Sequence, residues 1–130
     1  MGGWVLDGFP NSQAQINLLK ADRIKPLLVF ILEQNEEESV RRLSNRQLDP
    51  ETGNYYNVEV SPAPEELNSR LVQQDSDAEP IVRKKFKVWR EFLPVIEECF
   101  RSEVVTMQSD RMIDEITEMM SDELENSMRA

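Results

Sequence analysis

Asp7 closes the apolar run Trp4-Val5-Leu6 and stands before Gly8-Phe9-Pro10. A carboxylate at the end of a strand, facing phosphates, is where a hard and water-retaining cation can be held. The same position also suits a residue that merely terminates a strand. Arg42 and Arg46 are four residues apart, which puts both on one helix face. Guanidinium forks grip carboxylates or phosphates with two parallel bonds. Glu37 and Glu38 lie close by, so a pair of solvated ion pairs is the other reading of these arginines. Histidine is absent, which excludes imidazole catalysis and imidazole metal ligation. The glycines are Gly2, Gly3, Gly8 and Gly53, and none sits in a Gly-x-x-x-x-Gly-Lys segment that could cradle a phosphate.

These residues need elements to position them. Trp4-Val5-Leu6 reads as a short buried strand that stops at the Gly8–Pro10 turn. Ser12 or Asn11 can cap a following helix carrying Ile16, Leu18 and Leu19. Pro26–Leu32 is apolar without alternation, which predicts a strand covered on both faces. Asn35 caps the next helix, and Glu36, Glu37 and Glu38 in its first turn complement the dipole. Strand, helix, strand, helix is the pattern of a parallel α/β sheet. From about 47 to 75 the chain has no clear helix and holds Asp49-Pro50-Glu51-Thr52-Gly53-Asn54, Pro62 and Pro64, which predicts a functional loop or lid. Tyr55, Tyr56, Val58 and Val60 suggest a small hairpin inside it. A long helix follows from about Ala78 to Phe100, with Asp77 as its N-cap and Pro94 as a kink. Its stripe of Val82, Phe86, Trp89, Leu93, Ile96 and Phe100 recurs at spacings of four and three. Val104-Val105-Thr106 reads as a last strand. Asp110 then caps a final helix, and the polar residues 121–130 form a frayed tail.

Composition sets the outer limits. A chain of 130 residues suffices for one domain. The formal net charge of −10 disfavours nucleic acid or an anionic membrane as the main partner. The longest apolar run falls far short of a membrane span of about 20 residues. Cys99 is the sole cysteine, which excludes an internal disulfide and suits a reducing, cytoplasmic compartment.

Three segments in order carry a resemblance. Gly3-Trp4-Val5-Leu6-Asp7-Gly8-Phe9-Pro10, then Arg42-Leu43-x-x-Arg46-x-x-Asp49-Pro50-x-Thr52-Gly53-x-x-Tyr56, then Leu71 through Trp89 with Pro94 beyond, resemble the nucleoside monophosphate kinases, and adenylate kinase among them. The similarity runs from about residue 3 to residue 120. It implies a partial phosphate-loop kinase core of parallel strands and flanking helices, with a lid insertion. It implies that Asp7 holds magnesium through water, that Arg42 and Arg46 grip ATP, and that Gln15 reads the adenine of AMP. Lys85 matches a phosphate-binding arginine on the long helix; it keeps the charge but loses the planar fork.

The departures from that family point the other way. Asn11 stands where the family has an AMP-phosphate arginine, and Gln74 where it has a lid arginine. Phosphoryl transfer relies on such cations, and one arginine is worth about 10³–10⁵ in rate. The family's first strand, phosphate loop and AMP-binding helices have no counterpart in this sequence. The first strand lies between the third and fourth in the family's sheet. The reading is therefore a piece of a longer protein, or a chain paired with another that fills the slot. Three functions follow. One is a degenerate adenylate-kinase-like domain acting as a binding or scaffold module, similar to those of large ciliary and flagellar proteins. Another is a fragment of an active kinase that uses ATP, AMP and magnesium. The third is a helical interaction protein built on the Val82–Phe100 stripe.

Overall fold

In a computed structural model, residues 2–129 are described and form an α/β structure. Its elements are α1 (Gln13–Ala21), β1 (Val29–Glu33), α2 (Glu36–Ser44), β2 (Arg46–Leu48), β3 (Tyr55–Asn57), α3 (Glu79–Cys99), β4 (Val104–Gln108) and α4 (Ile113–Arg129). They fall into two compact units. One gathers the chain up to Glu33 and from Trp89 onward; the other is Gln34–Val88.

The first unit holds a two-stranded parallel sheet. β1 pairs with β4 in the register Val29↔Val104 through Glu33↔Gln108. Ile31 and Met107 are buried and sit on neighbouring rungs. This parallel pair with its helices is the α/β core that the sequence pattern predicts. α1 begins as predicted: the Ser12 hydroxyl accepts the Gln15 N–H at 3.3 Å, and Ile16 and Leu19 turn inward.

Five expectations change in this unit. Trp4–Leu6 forms no strand and is exposed, with Val5 90% accessible, because no strand among the described residues lies beside it to complete a ladder. β1 starts only at Val29, whose N–H is donated to the Glu103 carbonyl at 2.9 Å; Pro26 has no N–H to give. It is not covered on both faces, since Ile31 is buried while Leu32 is 45% exposed. The last helix starts at Ile113 rather than after Asp110, with the Met112 carbonyl accepting the first N–H, from Ile116. It then runs on to Arg129 instead of fraying at Ser121; Met119, Met120, Glu123 and Ser127 are half-buried along it.

The second unit is a helix, a hairpin and the start of α3. Asn35 caps α2 as predicted, its side-chain oxygen accepting the Glu37 N–H at 2.8 Å. β2 and β3 are antiparallel, Arg46 opposite Asn57 and Leu48 opposite Tyr55. Leu48 also bonds Val72 in both directions, at 2.8 and 2.9 Å. The hairpin thus pairs Tyr55–Asn57 back onto residues 46–48. Val58 and Val60 stay out of it because the Asn57 side chain accepts the N–H groups of Glu59 and Val60 and turns the chain. α3 takes Ala78, not Asp77, as its first carbonyl acceptor and passes through Pro94 without a break in the helix. Both ends of its apolar stripe, Val82 and Phe100, are buried.

Candidate functional site

The Asp7 segment is built around a turn. Gly8 has φ +78°, a left-handed conformation that favours glycine, and Asp7 is exposed at the bend. Asn11 uses its side-chain amide to donate to the Gly8 carbonyl, and its backbone N–H goes to Oε1 of Gln15. With Ser12 capping α1, Gln15 completes a near relative of the capping box. Asn11 and Gln15 are therefore joined to each other and to the helix start. Asp7 offers one exposed carboxylate. Among the described residues, no group of three or more carboxylates, thiols or imidazoles gathers to hold a metal ion. One donor is too few to hold magnesium by itself, a cation that takes its remaining ligands from waters and substrate phosphates.

Arg42, Arg46 and Lys85 lie in the Gln34–Val88 unit. Arg42 is exposed and donates its Nε to Glu38 at 3.0 Å, the ion-pair alternative foreseen for it. Arg41 joins the same carboxylate at 2.8 Å and reaches Glu59 at 2.7 Å. Hydrogen bonds from Arg41 and then Arg42 hold the Glu38 carboxyl at about 2. Arg46 behaves differently. Its Nε and Nη2 donate to the two oxygens of Asp77 at 2.8 and 2.7 Å, a bidentate pair. The Tyr55 ring covers the guanidinium, 4.7 Å from its carbon to the ring centre, and the Tyr55 hydroxyl donates to Gln74 at 3.2 Å. Asp77 is buried, only 2% exposed, and its hydrogen bond is the main reason the Arg46 pKa is raised. Lys85 is exposed on α3.

Two further ion clusters escape a reading of the sequence. Asp49 is fully buried and accepts two bonds from Arg70, at 2.9 and 2.7 Å. It also accepts the Glu51 N–H and the Thr52 hydroxyl, so its oxygens are well used. The Arg70 hydrogen bond is the chief cause that holds the Asp49 carboxyl at about 2. The Asp-Pro-x-Thr-Gly spelling does signal the local turn, closed by Gly53 at φ +76°, but gives no hint of Arg70. The second cluster centres on Arg83, which reaches Glu36, Glu37 and Glu79 at 3.2, 2.8 and 2.9 Å. The first turn of α2 thereby gains a cation as well as its own dipole.

The comparisons bear on these motifs. No family model matches the chain. An adenylate kinase of Giardia intestinalis is 34% identical over 116 residues, 88% of this chain and 47% of its own length. One from Petrotoga mobilis is 28% identical over 142 residues, taking in 100% of this chain and 64% of its own. Human adenylate kinase 8 is 33% identical over 110 residues, 84% of this chain and 23% of its own. The chain belongs to the adenylate kinase family, as a divergent member. It spans about half the length of the curated relatives it matches first. It uses Asn11 and Gln15 in a helix cap and Arg46 in a bond to Asp77. No helix among the described residues is long and apolar enough to cross a membrane.

Proposed function

We propose that the chain is a catalytically degenerate adenylate-kinase-like domain that serves as a binding or scaffold module. The observation that carries this reading is Arg46. This arginine, one of two that the resemblance assigns to ATP, is committed to a buried carboxylate and stacked under Tyr55. A phosphate that took the Nε–Nη2 edge of Arg46 would have to displace Asp77 from a bidentate bond and leave it buried. Asn11 and Gln74, where the family pattern has arginines, and Lys85 with its point charge, weaken the phosphate-binding set further. In this reading residues 1–120 are a partial domain with a lid at about 47–75, followed by the polar segment 121–130. ATP or AMP with magnesium remain its candidate ligands. A cytoplasmic placement in a ciliary or flagellar assembly rests on analogy with degenerate domains of the family.

The proposed partner is the remainder of a parent chain or another protein chain. Among the described residues β1 pairs on one side only, so its other edge leaves backbone N–H and C=O groups without a ladder partner, and Leu32 is exposed on one face of the strand. Such an edge is a template for a further strand.

A second reading, a segment of a working ATP–AMP phosphotransferase, draws support from relatives that all bear the name adenylate kinase. Because the chain spans about half of those relatives, a chimera in which a relative supplies the rest separates the two. The scaffold reading expects ADP formation from ATP and AMP below about 1 s⁻¹, the low end for kinases. Turnover above that value would replace it with the second reading.

A further inference from the structure

α4 carries an apolar strip that its surroundings leave uncovered. Ile113 is 80% exposed, Met128 67% and Leu124 38%. At 3.6 residues per turn, Ile113, Thr117, Met120, Leu124 and Met128 follow at steps of four, three, four and four along one side of the helix. Met120 is half-buried where the strip borders the half-buried side, which carries Ile116 and Met119. The opposite flank is acidic: Asp114, Glu115, Glu118, Asp122 and Glu125 are all exposed. Arg129 is the helix's single cation, and it is paired with Glu125.

We propose that this strip docks a basic amphipathic helix from a partner protein. Charge selects the class of partner. Lysines and arginines beside the partner's apolar anchors would meet the acidic flank, and complementary charge raises both encounter rate and specificity. The same charge argues against a second copy of this chain, whose acidic flanks would be set against each other. Side-chain type agrees. Met120 and Met128 lie on the strip itself. Unbranched, polarisable thioethers adapt to differently shaped anchors, which suits recognition of a helix by its apolar face. Seventeen residues of α4 give a strip about 25 Å long at 1.5 Å per residue. That length accommodates a partner helix of several turns. The inference rests on this surface alone and is independent of whether nucleotide binds elsewhere.

The test uses the whole chain and a fluorescent synthetic peptide of leucine and lysine, patterned as an amphipathic helix. A second peptide has the same composition in scrambled order, which keeps the charge and destroys the apolar face. The amphipathic peptide should bind at least about tenfold more tightly than the scramble, a difference of about 1.4 kcal/mol. Added salt should weaken it. The exposed double variant Leu124→Ser/Met128→Ser, with its helix content checked by circular dichroism, should bring its affinity down to that of the scramble. Equal affinity for both peptides, no binding of either, or a double variant that binds like the native chain would overturn the proposal. So would sedimentation of the chain alone as a dimer that the double variant dissolves, since the strip would then serve self-association.

Discussion

Asp49 shows how single residues hold the Gln34–Val88 unit together. The unit buries little apolar surface around this carboxylate, and its position depends on Arg70, Thr52 and the Glu51 N–H. Its carboxyl lies at about 2 against an ordinary 3.8, because the charged form is the one that Arg70 binds. The stabilisation is therefore complete above the ordinary carboxyl range and is lost as pH falls through about 2. An acid titration followed by circular dichroism should show this unit loosening between pH 4 and 2 (about the span of the two values). Asp49→Asn should be less stable at neutral pH and lack that acid-sensitive step; an unchanged acid midpoint would refute the assignment. Arg46 gives a second prediction. Arg46→Ala strands Asp77 and should cost about 1–3 kcal/mol, between the values for an exposed pair and for a fully buried one. Unfolding of the variant at the native denaturant midpoint would contradict the structural role of the pair. Local features such as the Asn35 and Ser12 caps were readable because donor and acceptor lie within three residues. The pairs Asp49–Arg70 and Arg46–Asp77 were not, because their partners are 21 and 31 residues apart and no periodicity links them.

At the scale of elements, strands and helices differ in how far their sequences disclose them. α3 was readable almost to its ends because its apolar stripe repeats over about five turns, and Pro94 did not end it. β4 was readable from three β-branched residues in a row. Trp4–Leu6 misled because an apolar run predicts a strand only if another strand is there to pair with it. The hairpin expected from Tyr55, Tyr56, Val58 and Val60 did not form: Tyr55–Asn57 pairs back onto Arg46–Leu48 across the Asp49–Gly53 turn, and the Asn57 side chain turns Val58 and Val60 away. Among the described residues, no buried apolar side chain lies between Val40 and Val82. The stretch from Asn54 to Arg70 is thus held by polar contacts and short ladders, which open more readily than packed strands. Hydrogen exchange should find its amides faster than those of Ile31 and Met107 in the parallel pair. Equal protection would mean that the ion pairs alone rigidify the hairpin. Removing the α2 cap by Asn35→Ala should cost about 1 kcal/mol, read as a lower urea midpoint with unchanged slope.

For the whole molecule, the central claim is that the residues needed for phosphoryl transfer have been lost or redirected. The chain by itself cannot test this, because it spans about half of its relatives. A chimera can. The segment of the Giardia intestinalis adenylate kinase that this chain matches is replaced by the chain, leaving the rest of that enzyme to supply what this sequence lacks. A second chimera carries Asn11→Arg, Gln74→Arg and Lys85→Arg, which restore the family's cations at the three positions. ADP formation from ATP and AMP is then measured by a coupled assay. The account predicts turnover below about 1 s⁻¹, the low end for kinases, in the first chimera, and a rise of at least about 10³ in the second, the lower value for one restored arginine. A first chimera that turns over above about 1 s⁻¹ would contradict the account and establish the chain as a working part of a kinase.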